Sequence, residues 1–415
     1  MTAGATAPPR PRGALRLIFT PAFGALFWGK MASVIAVWTH GIVAAIVMYD
    51  ATGSALMVGL VGVVQFGPQL ILTPTSGKWA DRGDPARQIL LGRVICVLGS
   101  GFTAAWFYLD SDLAGSIAAI PVLVGSLIVG FGFVVGGPAM QSIVPNLIRD
   151  GELPTAMALN SIPMTIGRIV GPVSGAYLAA QLGVGSGFAV SAGLHLVFAL
   201  LLVAVRFPAP PERSSGVDDR VRAALRYVWR DRPLLLALLA VTVVGIASDP
   251  PITLTPSMAE ELGGGTRLVG LLSAAFGIGA AVGMGVLALL GGRLASAWVS
   301  SVGLSGVTAG CAMLALVTSP TAAAVGFAVT GLGFGWATTG LATVVQERAP
   351  EELRGRIMAL WLVGFVGSRP LAAALLGGTA DLLNVQAAFV VAAVLCAVTA
   401  LCCRPATLTG PRPAL

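Results

Sequence analysis

Gly77-Lys78-Trp79-Ala80-Asp81-Arg82-Gly83-Asp84-Pro85-Ala86-Arg87 is a dense charged island between two long apolar runs. Leu56 to Thr75 precedes it without a charge, and Ile89 to Leu109 follows with Arg93 alone near its start. Runs of about 20 apolar residues are read as membrane-spanning helices. The island is therefore expected to be a very tight loop joining two spans on one side of a bilayer. Gly77 and Gly83 permit close backbone approach and positive φ. Asp84-Pro85 ends one segment and opens the next.

The whole chain is built this way. Hydrophobic residues make up 56% and charged residues 10%, against about 25% charged in soluble domains. The fold class is an all-α polytopic membrane protein. Hydropathy places twelve spans at 26–49, 54–76, 89–109, 115–139, 154–181, 184–205, 233–259, 266–290, 294–317, 320–344, 354–380 and 385–403. With the N-terminus inside, 21 of the 25 Lys and Arg residues fall in inside segments and Arg267 alone falls outside. The positive-inside rule then puts both termini in the cytoplasm. Met1 to Pro21 lacks the short apolar core of a cleaved signal and reads as a cytoplasmic tail. The net charge of +7 reflects topology and contact with anionic lipid, not nucleic-acid binding.

Residues 206–232 are the clearest linker. Pro208, Pro210 and Pro211 break the sixth span. Val217, Val221, Leu225 and Val228 then recur at helical spacing, as in an amphipathic helix lying on headgroups. The chain divides into a tail (1–21), a six-helix half (22–205), the linker (206–232), a second six-helix half (233–404) and a C-terminal tail (405–415). The halves repeat. At an offset of 201, Gly130-Phe131-Gly132-Phe133 meets Gly331-Leu332-Gly333-Phe334, Met157-Ala158-Leu159 meets Met358-Ala359-Leu360, and Arg168 meets Arg369. At an offset of 211, Val58-Gly59-Leu60 meets Val269-Gly270-Leu271.

The charged island resembles the signature between helices 2 and 3 of the major facilitator superfamily, roughly G-x-x-x-D-R-x-G-R/K. Gly77, Asp81, Arg82 and Arg87 match it, and Asp84 stands where the family usually has Gly. The resemblance implies two pseudo-symmetric six-helix bundles and a gate loop whose Asp joins contacts that hold the cytoplasmic side shut. The fifth span carries Gly167-Arg168-Ile169-Val170-Gly171-Pro172-Val173-Ser174-Gly175. It is similar to the G-x-x-x-G-P-x-x-G motif of drug/proton antiporters. Gln141 to Asn160 and Ala349 to Arg356 resemble the enterobactin-exporter and macrolide-efflux branch. The Arg that many drug antiporters carry in helix 4 would fall near Ser126 and is absent.

Ionisable groups inside spans are functional candidates by default. His40 and Asp249 lie about 21 Å and about 24 Å into spans 1 and 7 at 1.5 Å per residue, at nearly the same height. They are the proton-coupling candidates. The alternatives are a permanent Asp249–Arg369 pair and a helix–helix hydrogen bond for His40. Arg168 and Arg369 form a pseudo-symmetric pair on the gate helices. Arg168 is expected to pair toward span 1, and Arg369 with Asp249 or Asp381. Gln65 and Gln69 are possible cavity polar groups. Lys30 reads as snorkelling to the inner headgroups, and His195 as structural. The five cysteines match no metal spacing and read as packing residues.

No phosphate-binding loop, metal-ligand cluster or nucleophile–base arrangement stands in the sequence, so the reading is a non-enzyme without cofactor or metal. The expected function is secondary export of an amphipathic small molecule (drug, siderophore or lipid-like metabolite) across the plasma membrane by alternating access and proton antiport. Its partners are the cargo, protons and membrane lipids, and it works as a monomer. A proton-coupled nutrient importer and a non-transporting sensor or assembly partner on the same scaffold are the alternatives.

Overall fold

The computed structural model describes residues 12–82, 84–109, 115–149, 151–207, 219–247, 253–290 and 293–411. Side chains are described for these except at 70, 73–82, 115–116, 141, 154, 158 and 219–222. A short turn of helix, Ala14–Ile18, precedes the first half. That half contains α1 (Pro21–Thr52), α2 (Ala55–Arg82), α3 (Pro85–Leu109), α4 (Ala119–Ser142), α5 (Leu153–Leu182) and α6 (Val184–Ala204). The linker helix α7 (Asp219–Arg230) follows. The second half contains α8 (Arg232–Ala247) with α9 (Thr255–Glu261), then α10 (Gly265–Leu290), α11 (Ser296–Leu314), α12 (Pro320–Arg348), α13 (Arg354–Leu382) and α14 (Val385–Cys402). A last turn, α15, spans Pro405–Leu408.

Among the described residues, nine helices are long and apolar enough to cross a membrane, and Ala55–Gln69 and Arg232–Ala247 are shorter apolar helices. With the 30-residue α5, the helices are consistent with twelve crossings. Helices suit this solvent because they satisfy their backbone groups internally. The chain punctuates them as expected. Gly53 takes φ 62° and closes α1 with its N–H on the Tyr49 carbonyl, a left-handed cap that glycine adopts without a Cβ clash. Proline opens α1, α12 and α15 within their first turn. Asn384 accepts from the Ala387 N–H at 2.7 Å and caps α14.

The charged island is a tight connection, and part of it is helical. Backbone helix continues through Arg82 and resumes at Pro85. Gly77, Asp81 and Arg82 therefore lie on the last turns of α2, and their side chains lie outside the described residues. Asp84 caps α3 by accepting from the Ala86 and Arg87 N–H groups at 2.9 and 3.3 Å. This gives a local reason for an acid where the resembled signature has Gly. Arg87 is exposed and sits 3.4 Å from Asp84.

The internal repeat is present in three dimensions. A Cβ built on Gly132 would lie 2.6 Å from the Gly92 carbonyl, and one on Gly333 would lie 2.8 Å from the Gly303 carbonyl. Gly130 abuts the Gln65 carbonyl, and Gly331 abuts the Phe276 carbonyl. Each of these pairs is related to the other by the sequence offsets of 201 and 211. The same small-residue packing thus joins α4 to α2 and α3 in one half, and α12 to α10 and α11 in the other. Close backbone approach at glycine is how helices gain van der Waals contact where lipid removes the hydrophobic drive.

The linker helix buries part of the expected apolar face. Ala224, Tyr227 and Val228 are buried, while Leu225 is 40% exposed. Tyr227 donates from its hydroxyl to the Arg348 carbonyl at 3.3 Å, so α7 docks on the end of α12.

Candidate functional site at the seam between the halves

The two halves meet along α2–α13 and α5–α10. At the end of the bundle away from the chain termini, these pairs are in close contact. A Cβ on Gly59 would lie 2.8 Å from Ala373 Cα, and one on Gly377 would lie 2.8 Å from Leu56 Cα. Across the other pair, Gly270 faces the Ala176 Cβ at 2.8 Å, and farther in, toward the middle, Gly277 faces Ile169 Cα at 3.0 Å. Asp381 of α13 then seals the end. Its carboxylate accepts from the Ala55 N–H at 2.7 Å, the Leu56 N–H at 3.1 Å and the Ser54 hydroxyl at 2.5 Å. It caps α2 of the opposite half. In α13, Ala373–Gly377 forms one π-helical turn soon after Pro370. Such turns relieve a ladder that proline has interrupted.

Midway along the seam the chemistry changes. Arg168 of α5 stacks over Trp38 of α1, 5.1 Å from the ring centroid, and over Phe334 of α12, 4.6 Å away. Arg369 of α13 lies 4.2 Å from the Phe66 ring and 6.0 Å from that of Trp38. Both guanidiniums thus flank one tryptophan, held by cation–π attraction. Arg168 has no ion pair among the described residues. The aromatic wall continues from Phe334 to Phe365, 6.1 Å between centroids, and from Phe365 to a stacked Trp361 at 5.4 Å. Gln65, Phe66, Trp38 and Arg369 share a gap of about 20 Å³, room for about one water.

Three buried donors along this wall have no acceptor: Arg168 Nε, Gln65 Nε2 and Trp361 Nε1. Such groups cost free energy and are rare in folded proteins.

The other sequence candidates separate. His40 is fully buried within the first half, with Nδ1 3.1 Å from Ser100 Oγ and Nε2 3.1 Å from Ser126 Oγ. Both ring nitrogens are engaged away from the seam, and Ser126 fills the place of the absent helix 4 arginine. Asp249 lies outside the described residues. Asp381 is twelve residues beyond Arg369, about 18 Å along a helix, so it serves α2 and does not pair with Arg369. Gly167, Gly171 and Gly175 bring α5 onto α1: a Cβ at Gly171 would meet the Ile35 carbonyl at 2.9 Å. Thr39 donates to the Gly171 carbonyl at 3.1 Å. Pro172, next to Gly171, is also buried. Gln69 turns toward Gly137 of α4, so Gln65 alone of the two glutamines lines the gap. Lys30 does not snorkel. It is 6% exposed and donates to the Asn160 carbonyl and side chain at 2.9 and 2.8 Å.

Some charged positions carry roles that spacing does not signal. Arg12 binds Glu152 through its backbone N–H (2.7 Å), Nε (2.9 Å) and a terminal nitrogen (2.7 Å). Those hydrogen bonds hold the Glu152 carboxyl far below its usual range, at about 2. Arg348 binds Asp231 at 2.9 Å and also donates to the carbonyls of Leu408, Gly410 and Pro411. Arg93 is fully buried in the first half, bonded to Ser33 and stacked 4.6 Å from the Phe133 centroid.

The sequence model of a family described as transmembrane secretion effector matches residues 14–409. An enterobactin exporter of Salmonella choleraesuis (strain SC-B67) is 29% identical over 369 residues, covering 86% of this chain and 85% of that one. An enterobactin exporter of Shigella flexneri is 27% identical over 364 residues, with the same coverage. Among solved structures, a POT family transporter aligns with a TM-score of 0.70 at 13% identity, over 94% of this chain and 98% of that one. A bacterial homologue of the human lysosomal transporter Spinster, inward-facing and unoccupied, aligns at 0.67 and 16% identity, over 91% and 95%. At such identities these two likenesses show the fold alone.

Proposed function

Because this chain belongs to the transmembrane secretion effector family of major facilitator transporters, we propose that it exports an amphipathic small molecule by alternating access, driven by proton antiport. It is a multi-pass membrane protein, and on this reading both termini are cytoplasmic. The observation that carries the reading is the seam. Two repeated halves meet through small residues and one carboxylate cap at the far end, with two arginines and an aromatic wall midway. Small-residue contacts and a single cap are cheap to break and remake, as a gate requires. The mid-membrane aromatics offer a surface for a largely apolar cargo. The enterobactin exporters are the similar proteins whose names give a cargo, and a siderophore is within the class proposed here.

Proton coupling rests on Asp249 in this proposal. His40 is a poorer candidate than its depth in span 1 indicates, because serines occupy both ring nitrogens. The test is an efflux and susceptibility panel in a host lacking its own exporters, with and without an uncoupler. Uncoupler-sensitive loss of amphipathic compounds from the cell supports the proposal. Uptake in place of loss favours the importer reading, and no flux in proteoliposomes favours a non-transporting scaffold.

A further inference from the structure

We propose that the seam recognises its cargo by a negatively charged, acceptor-rich group carried on an aromatic or apolar body. Arg168 reads the charge, and Gln65 and Trp361 supply neutral donors. This rests on the transport reading and narrows its substrate class to organic anions.

The argument begins with what is missing from the site. Arg168 sits midway along a membrane-spanning helix, where an uncompensated charge is expensive. Two aromatic faces are its only partners among the described residues. Ring faces attract a cation but accept few of its hydrogen bonds, and Nε remains without an acceptor. Arg369 lies by the same Trp38 ring, and no carboxylate among the described residues pairs with Arg168.

The unfilled groups share one sign. Arg168 Nε, Gln65 Nε2 and Trp361 Nε1 are all N–H donors, and all three belong to the seam and its aromatic wall. Gln65 is 3% exposed and lines the same gap as Trp38, Phe66 and Arg369. Trp361 ends the stack that runs through Phe365 and Phe334 to Arg168. The buried orphans of Arg93 and His195 lie inside the first half and do not face the other half.

A site with unpaired donors around a buried guanidinium, floored by rings, complements carboxylate, sulfonate or phenolate oxygens on a flat apolar body. A cationic cargo would meet the Arg168 guanidinium and find no carboxylate among the described residues that line the neighbouring gap. Guanidinium also fits a planar oxyanion through paired N–H groups, which an ammonium does not.

The test uses the full chain in nanodiscs and equilibrium dialysis against three pyrene probes of similar size: the sulfonate, the neutral methanol and the trimethylammonium. Empty nanodiscs give the lipid background. The sulfonate is expected to bind about 10- to 100-fold tighter than either of the others, the range for hydrogen bonds to a charged group. Arg168→Gln should abolish that preference, Arg168→Lys should keep part of it, and Gln65→Leu should weaken sulfonate binding by a smaller factor. Melting curves of each variant exclude misfolding. Equal or tighter binding of the cation, or a preference that survives Arg168→Gln, overturns the proposal. So does failure of all three probes to bind a chain whose efflux of other amphipathic compounds is established. Absence of both binding and efflux would instead bring down the transport reading itself.

Discussion

Asp381 accepts the backbone N–H of Ala55 at 2.7 Å, so a carboxylate from the second half caps a helix of the first. On the alternating-access proposal the bond exists only while the far end is closed, because the two residues belong to bodies that would separate for cargo to leave there. Asp381→Ala removes this cap together with the Leu56 and Ser54 bonds. A cap is worth about 1 kcal/mol, which moves a two-state population about five-fold. Spin labels at Thr52 and Leu383 should show a growing long-distance component in the variant. Asp381→Asn, which keeps one acceptor oxygen, should fall between. An unchanged distance distribution in both would remove Asp381 from the gate.

Arg348 and Asp231 form a buried pair with side-chain exposures of 6% and 0%. The same guanidinium holds the C-terminal segment through three backbone carbonyls. Arg348→Met leaves Asp231 charged and unmatched in the interior. Removal of one partner from such a pair costs about 3–5 kcal/mol. The variant should melt well below the parent in detergent and release residues 405–411 to carboxypeptidase. Adding Asp231→Leu should recover much of the stability but not the tail protection. It should also leave a residual loss of about 1 kcal/mol, because Asp231 caps α8 at the Leu234 N–H.

Regular, short-range information was legible in the sequence. Hydropathy located the helices to within a few residues, as at 184–205 against Val184–Ala204, because lipid forces every buried segment to be helical. The offsets that pair Arg168 with Arg369 also pair the Gly132 and Gly333 contacts, so the repeat was readable as spacing alone. Long-range partners were not. Nothing near Glu152 announces that Arg12 will reach it across 140 residues of sequence. Asp381 is one of the two partners expected for Arg369, yet helical rise carries it to the far end. Lys30 was read from its depth, whereas an amide on the neighbouring α5 turns it inward. The charged island read as a loop because polarity was taken for irregularity, and the helix runs through it to Arg82.

The repeated glycine contacts make a paired prediction. Gly132→Ala and Gly333→Ala should each destabilise by about 1–3 kcal/mol, since the new methyl would overlap a backbone carbonyl that cannot move alone. Gly62→Ala and Gly285→Ala, where nothing lies within 4 Å, should be neutral within about 0.5 kcal/mol or gain from helix propensity. Thermal unfolding of the four variants in one detergent checks this. A large effect at Gly132 with none at Gly333 would deny that the halves pack alike.

The Arg12–Glu152 contact sets a pH dependence outside the membrane. Arg12 hydrogen bonds lower the Glu152 carboxyl to about 2, against about 4.3 for an unperturbed glutamate. A lowered carboxyl favours the folded state when ionised. Its contribution is therefore complete above the unfolded value and disappears as pH falls through the folded one. Melting temperatures of the parent and Glu152→Gln should differ by a constant few degrees above about pH 5. The gap should narrow between about pH 4.3 and 2 and vanish below that. Arg12→Ala should flatten most of the pH dependence and leave the part carried by the Arg12 and Arg149 backbone N–H groups, which still donate to Glu152. A gap that persists unchanged at pH 2 would mean that Glu152 contributes through packing and not through its charge.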